Sequence, residues 1–239
     1  GGSVRQPAAF CGVCGLKPTY GLISRFGLIA YGSSLDQVGP MAHHVEDLAA
    51  LLQILAGHDP LDSTSLDIVI PDYLGLLGTA IKGLRVGVVS EHAHHSALDS
   101  EITAALDRTR SVLEFLGASI QEVHVPHSRY SVAAYYVIAS CEASSNLARY
   151  EAAHYGYRAP SEHGTSTNDR SPLDQMMIAS RSQGFGEEVQ RRIMLGTFAL
   201  SAGYADAYYK QALKVRRLIA DDYREAFEQV DLLLGPVVP

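Results

Sequence analysis

One stretch limits the fold more than any other. Leu84-Arg85-Val86-Gly87-Val88-Val89 reads as a buried strand bounded by Gly83. Asp99 or Ser100 can cap a following helix whose Ile102, Leu106, Thr109, Leu113 and Leu116 share one face, and Gly117 ends it. Ser119 to Val125 then reads as a second strand. A strand, a helix and a strand in that order imply a right-handed crossover between parallel neighbours. The spacing therefore predicts an α/β fold with a mixed, largely parallel sheet covered by helices.

The rest of the chain fits around that unit. Residues 1–40, with Pro7, Pro18, Gly12, Gly15, Gly21, Gly27 and Gly32, predict a loop of turns and short extended pieces rather than a helix. Val45, Leu48, Ala49, Leu52 and Leu55 recur at helical spacing before Gly57. Helical pattern returns from Tyr130 to Tyr150, and a Pro-, Ser- and Thr-rich loop spans Ala159 to Pro172. Three more helical stretches follow, roughly Leu173 to Ser182, Glu187 to Ala202 and Ala205 to Gln229. The last presents Val215, Leu218, Ile219, Tyr223, Ala226, Phe227 and Val230 on one face, and Leu232 to Leu234 reads as a buried strand. Residues 1–239 are read as part of a single domain, with a loop over 1–40, a strand–helix–strand region over 84–125 and a helical region over 130–229.

Composition excludes several classes. Hydrophobic residues make up 47% and charged residues 19%, so disorder is not the theme. A net charge of −7 lacks the basic footprint of a dedicated nucleic-acid-binding chain. Apolar runs such as Leu48 to Leu55 are too short to span a bilayer, no secretory leader is expected, and three cysteines point to a reducing compartment. The chain opens on Gly1 and closes on an apolar run, and is expected to be an internal piece of a longer protein.

Chemistry points first to Gly1-Gly2-Ser3. Two glycines let backbone N–H groups approach a ligand, as an oxyanion hole requires, and the serine after them could be a nucleophile. On spacing alone, a Gly-Gly-Ser is most often a plain turn or linker. Cys11 and Cys14 form a C-x-x-C pair, but no second pair completes a zinc site, so small residues packed beside glycines are expected. His92, His94 and His95 read as solvated loop histidines. Arg191 and Arg192 read, as a bare pair, as the polar face of a helix, and of the adjacent Tyr135 and Tyr136 only one is expected to face a pocket.

Continuing past Ser3 changes this reading. Gly1-Gly2-Ser3-Val4-Arg5-Gln6-Pro7-Ala8 is followed by Cys11-Gly12-Val13-Cys14-Gly15-Leu16-Lys17-Pro18-Thr19-Tyr20-Gly21, Ser33-Ser34-Leu35-Asp36-Gln37-Val38-Gly39-Pro40-Met41 and Ala56-Gly57-His58-Asp59. This succession resembles the second half of the amidase signature family. The later stretches resemble, within it, the branch formed by the A subunits of aspartyl/glutamyl-tRNA amidotransferases. They include Tyr135-Tyr136-Val137-Ile138-Ala139-Ser140, Glu142-Ala143-Ser144-Ser145-Asn146-Leu147, Gly184-Phe185-Gly186-Glu187-Glu188-Val189 and Arg191-Arg192-Ile193-Met194-Leu195-Gly196-Thr197.

The resemblance implies a glutaminase. Ser3 takes the place of the acyl-forming nucleophile, and the backbone around Gly1 and Gly2 that of the oxyanion hole. Tyr135 and Arg192 match positions that hold free glutamine, Arg192 through the α-carboxylate, as a guanidinium fork suits. The family's base is a lysine acting through a bridging serine, both upstream of Gly1; Lys17 matches a structural Lys-Pro-Thr turn. A downstream acidic residue that selects the amino group lies beyond Pro239. Taken alone, residues 1–239 are expected to be inactive. His43-His44 stand where relatives often carry an arginine.

Released ammonia is expected to pass to partner subunits B and C, one of which uses ATP and Mg to amidate Glu-tRNA(Gln) or Asp-tRNA(Asn), gripping the tRNA itself. No metal or organic cofactor is expected at the serine site, and a cytoplasmic or bacterial-type organellar setting is implied. A stand-alone amidase acting on another amide, or a non-catalytic piece, are the competing readings.

Overall fold

Parallel pairing of the two strands in the 84–125 region is present in the computed structural model, which describes residues 2–160 and 170–238. The chain divides into two compact units. One comprises residues 1–28, 37–131 and 216–239, and the other residues 29–36 and 132–215. Gly1 and the 161–169 part of the predicted loop lie outside the described residues. Among the described residues, no helix is long and apolar enough to cross a membrane.

The first unit opens with a helix, α1 (Gly2–Phe10), where a loop was expected. Glycine and proline content misleads here. Pro7 sits inside the helix and cannot donate to the carbonyl of Ser3, yet Val4 and Ala8, four residues apart, bury one face and hold the segment. Gly12, at φ +66°, ends it: Val13 N–H reaches the Ala8 carbonyl at 3.0 Å and Gly12 N–H the Ala9 carbonyl at 3.2 Å. This double closure is the Schellman geometry, which a glycine accepts without strain.

After α1, β1 (Cys14–Gly15) pairs antiparallel with β2 (Met41–Ala42), and α2 (Val45–Leu55) buries Leu48, Ala49 and Leu52. Leu52 joins Leu22 and Ile23 in a small apolar cluster. Gly15 and Gly39 are the seat of α1. A Cβ on Gly15 would stand 2.6 Å from the Ala8 Cβ, and one on Gly39 would stand 2.4 Å from the Leu16 carbonyl oxygen and 3.1 Å from both Val4 methyls. Two glycines of the first forty residues therefore serve packing.

The parallel sheet runs β4–β3–β5, with β3 (Arg85–Val89) in the centre, β4 (Ser119–Val123) on one side and β5 (Leu232–Leu234) on the other. A one-turn helix, α3 (Ser90–Ala93), leaves the end of β3, so His92 lies on a helix rather than in the expected loop, while His94 and His95 are exposed. Asp99 caps α4 (Ser100–Phe115) by accepting the Glu101 N–H at 2.7 Å, and α4 crosses over to β4. Asp231 fixes the start of β5, accepting the Arg85 N–H at 2.9 Å and pairing with its guanidinium at 2.6 Å. Among the described residues β5 pairs only with β3, and Leu232 is half-exposed rather than buried as expected. Val89, Val123 and Val125 meet Ala226 and Val230 from the C-terminal end of the last helix. His127, just after β4, donates its backbone N–H to the buried carboxylate of Asp222 at 2.7 Å, and its ring nitrogen lies 2.8 Å away.

The second unit is helical. It contains α5 (Ser131–Asn146, from Val132), α6 (Pro172–Gly184), α7 (Glu187–Leu200) and the start of α8 (Gln211–Gln229). Ser171 caps α6 by accepting the Asp174 N–H at 3.1 Å, with Pro172 at the first helical position. The single helix predicted from Ala205 is instead a wide π turn, Asp206–Lys210, leading into α8. Its five-residue bond, Lys210 N–H to the Ala205 carbonyl at 3.0 Å, accompanies the packing of the Tyr208 ring on Phe198 and Tyr204. Gly196 lets α7 touch α5: a Cβ there would stand 2.0 Å from the Ser140 carbonyl oxygen.

Candidate active site

Ser3 is the second residue of α1 and is exposed. N–H groups of a helix's first turn have no carbonyl partner four residues back, and the helix dipole places partial positive charge there. A hydroxyl in that turn is well placed to carry an acyl group whose oxygen turns negative. Among the described residues, nothing lies within 4 Å of where a Cβ on Gly2 would be. Gly1 lies outside the described residues. Nearby, the half-buried Lys17 has its pKa lowered, first by burial and then by the charge of Arg5 on α1, and its ammonium donates to the Pro18 carbonyl.

In the second unit, Arg192 sits on α7 within a ring of aromatic and polar groups. Its Nη1 donates to the Tyr31 hydroxyl, and its Nε donates to Glu188 Oε1 at 2.8 Å, one helical turn back. The guanidinium carbon lies 5.7 Å from the ring centres of both Tyr31 and Tyr136. Hydrogen bonds to Tyr31, Glu188 and Tyr135 raise its already high pKa, so it stays charged throughout the physiological range. Burial pushes the Tyr31 phenol up, against the opposing pull of Arg192, while Glu188 is held below the usual carboxylate range chiefly by its hydrogen bond to Arg192.

The predicted pair Tyr135 and Arg192 is thus brought together. Tyr135 and Tyr136 pack edge-on with ring centres 5.4 Å apart, and both face the arginine rather than one alone. Arg191 is exposed and bonds the other oxygen of Glu188, at 2.8 Å, which fits the plain helix-surface reading.

Tyr31 is held in place by partners far along the chain. Asn146 Nδ2 donates to the Tyr31 carbonyl at 3.0 Å and to Ser33 Oγ at 2.8 Å; Ser34 donates its N–H at 2.9 Å and its hydroxyl at 2.6 Å to Glu142. Asp36 accepts the N–H groups of Tyr31 and Gly32 at 2.9 and 3.0 Å. Sequence reasoning missed Tyr31, because 161 residues separate it from Arg192. Glu188 could have been found from its spacing of four residues to Arg192 on a helix.

The remaining histidine and cysteine candidates do not come together. His94 contacts Glu122 and His124 contacts Glu91, each at 3.3 Å, and no cluster among the described residues could hold a metal ion. Cys11 is exposed rather than packed, Cys14 is half-buried with its thiol 3.8 Å from the His43 carbonyl, and Cys141 is buried.

The architecture is that of an α/β protein with a parallel sheet flanked by helices and a serine in the first turn of a helix. The amidase family model matches residues 1–239, and the chain belongs to the amidase family. The A subunit of the glutamyl-tRNA(Gln) amidotransferase from Rhodopirellula baltica is 55% identical over 240 residues, covering all of this chain and 48% of the relative. Its counterpart from Carboxydothermus hydrogenoformans is 55% identical over 239 residues, covering 47% of that protein. The crystal structure of the counterpart from Thermotoga maritima superimposes with a TM-score of 0.71 at 41% identity, over 98% of this chain and 44% of that one. The chain spans about half the length of the curated relatives it matches.

Proposed function

We propose that the whole protein hydrolyses glutamine and delivers the ammonia for amidation of a mischarged tRNA. Ser3 Oγ adds to the side-chain carboxamide carbon; the C–N bond breaks and ammonia leaves with a proton. Water then cleaves the serine ester to give glutamate and the free hydroxyl. Backbone N–H groups around Gly1 and Gly2 take the role of the oxyanion hole for the oxygen that becomes negative. The base is assigned by family resemblance to a lysine and bridging serine preceding Gly1. Neither metal nor organic cofactor enters this half of the reaction; ATP and Mg belong to the partner subunit that amidates the tRNA.

The observation that carries this reading is Arg192: a permanently charged guanidinium, partly exposed and framed by tyrosines, suits the α-carboxylate of a free amino acid. Tyr135 stands beside it as the second contact. The amidotransferase names of the relatives support assembly with further subunits, which we assign as B and C, and the acidic balance of the chain fits a division in which the tRNA is gripped elsewhere. Ammonia release by the full-length protein tests it: Arg192→Ala is expected to lower kcat/KM for glutamine by on the order of a hundredfold. Full glutamine turnover by that variant would mean a different amide is the substrate.

A further inference from the structure

We infer that Tyr31 and Glu188 are positioning residues that commit two edges of Arg192, so that a substrate carboxylate is received end-on by its Nη groups. This rests on the reading of Arg192 as a carboxylate holder. A guanidinium has five N–H donors, one on Nε and four on the two Nη nitrogens. The Nε donor is spent on Glu188 at 2.8 Å, and one Nη1 donor on the Tyr31 hydroxyl. Side-on pairing of a carboxylate, which uses Nε, is therefore closed. The other three donors are all on the Nη nitrogens, and the Tyr135 hydroxyl takes one of them, leaving two for a ligand.

Both positioning groups are themselves held. Glu188 is braced by Arg191 at 2.8 Å through its second oxygen. Tyr31 is fixed by Asn146 at its carbonyl and by Asp36 at its N–H, and its segment by Glu142 through Ser34. The guanidinium is thus clamped along two edges and loses little rotamer freedom when a ligand arrives. Preorganisation of this kind lowers the cost of binding. It also gives a selection rule: an amide lacking an α-carboxylate gains nothing from the clamp.

The test uses the full-length protein with glutamine and with 4-aminobutanamide, which has no α-carboxylate. Tyr31→Phe keeps the ring and removes the hydroxyl; Glu188→Gln keeps the shape and removes the charge. Each is expected to raise KM for glutamine about tenfold while kcat falls less than about threefold, shrinking the preference for glutamine over the analogue by the same factor. Arg224→Ala removes an exposed ion pair with Asp221 that plays no part in the clamp and is expected to leave that preference within about twofold. Arg192→Ala separates the two claims. If it abolishes the preference while Tyr31→Phe and Glu188→Gln leave it intact, the positioning roles are overturned and the carboxylate reading stands. If Arg192→Ala also leaves the preference intact, the carboxylate reading itself fails.

Discussion

Ser3 and Arg192 are placed by opposite means. Ser3 is positioned by the backbone: α1 settles where Gly15 and Gly39 leave room for Ala8 and Val4, and the packing is steric. Arg192 is positioned by side chains, through Tyr31, Glu188, Tyr135 and Tyr136, with bonds reaching 161 residues along the chain. A backbone seat needs small residues at fixed local spacing, and so it leaves a motif. A side-chain clamp needs only that distant residues meet in space.

The contrast breaks most visibly at its glycines. Gly196→Ala forces a methyl to within 2.0 Å of the Ser140 carbonyl, and Gly15→Ala to within 2.6 Å of the Ala8 methyl. Each is expected to cost about 1–3 kcal/mol by overpacking, with the larger loss at Gly196, read as a fall in melting temperature of the full-length protein. Their kinetic signatures should differ. Gly15→Ala is expected to lower kcat, by tilting α1 under Ser3, and Gly196→Ala to raise KM, by moving α7 under Arg192. The same signature from both would erase the distinction.

A smaller effect probes the clamp through its support. Glu142→Gln keeps one acceptor for Ser34 and loses the charge that receives both its N–H and its hydroxyl. A loss of about 1 kcal/mol in local stability is expected, seen as faster amide exchange over 29–36 and a KM for glutamine raised about threefold.

The first unit does use side chains in one loop, and pH sharpens that point. Asp62 is held down to about 2, first by the Arg25 N–H at 2.8 Å, then by the Thr64 hydroxyl and N–H, with the Arg25 guanidinium adding least. A carboxylate depressed in this way contributes fully above its ordinary range and loses that contribution as pH falls toward its folded value. Amide protection over 57–66 is therefore expected to be flat from pH 7 to about 4 and to fall between about 4 and 2, with α1 unaffected over the same interval. In Asp62→Asn that step should shrink, leaving the part carried by Asp59, whose carboxyl is also held below its ordinary range, chiefly by the Ser24 hydroxyl.

The sequence made the sheet legible because β3, α4 and β4 follow one another with their own caps, Asp99 and Gly117 among them. It pointed to Ser3, Tyr135 and Arg192 as candidates only through family likeness, since a lone Gly-Gly-Ser or Arg-Arg carries little information. The helical state of α1 was hidden because glycines that serve its packing look like turn formers, and Pro7 looks like a breaker. Only α1's burial of Val4 and Ala8 decides otherwise. Tyr31 was hidden because nothing local marks a tyrosine whose partners, Asn146 and Arg192, lie on two later helices.

The proposed chemistry rests on one oxygen. Ammonia release from glutamine by the full-length protein, measured with Ser3→Ala beside the parent, is predicted to fall by at least about a thousandfold while the fold, read by melting temperature, is retained. Release at the parental rate from a folded Ser3→Ala protein would contradict it.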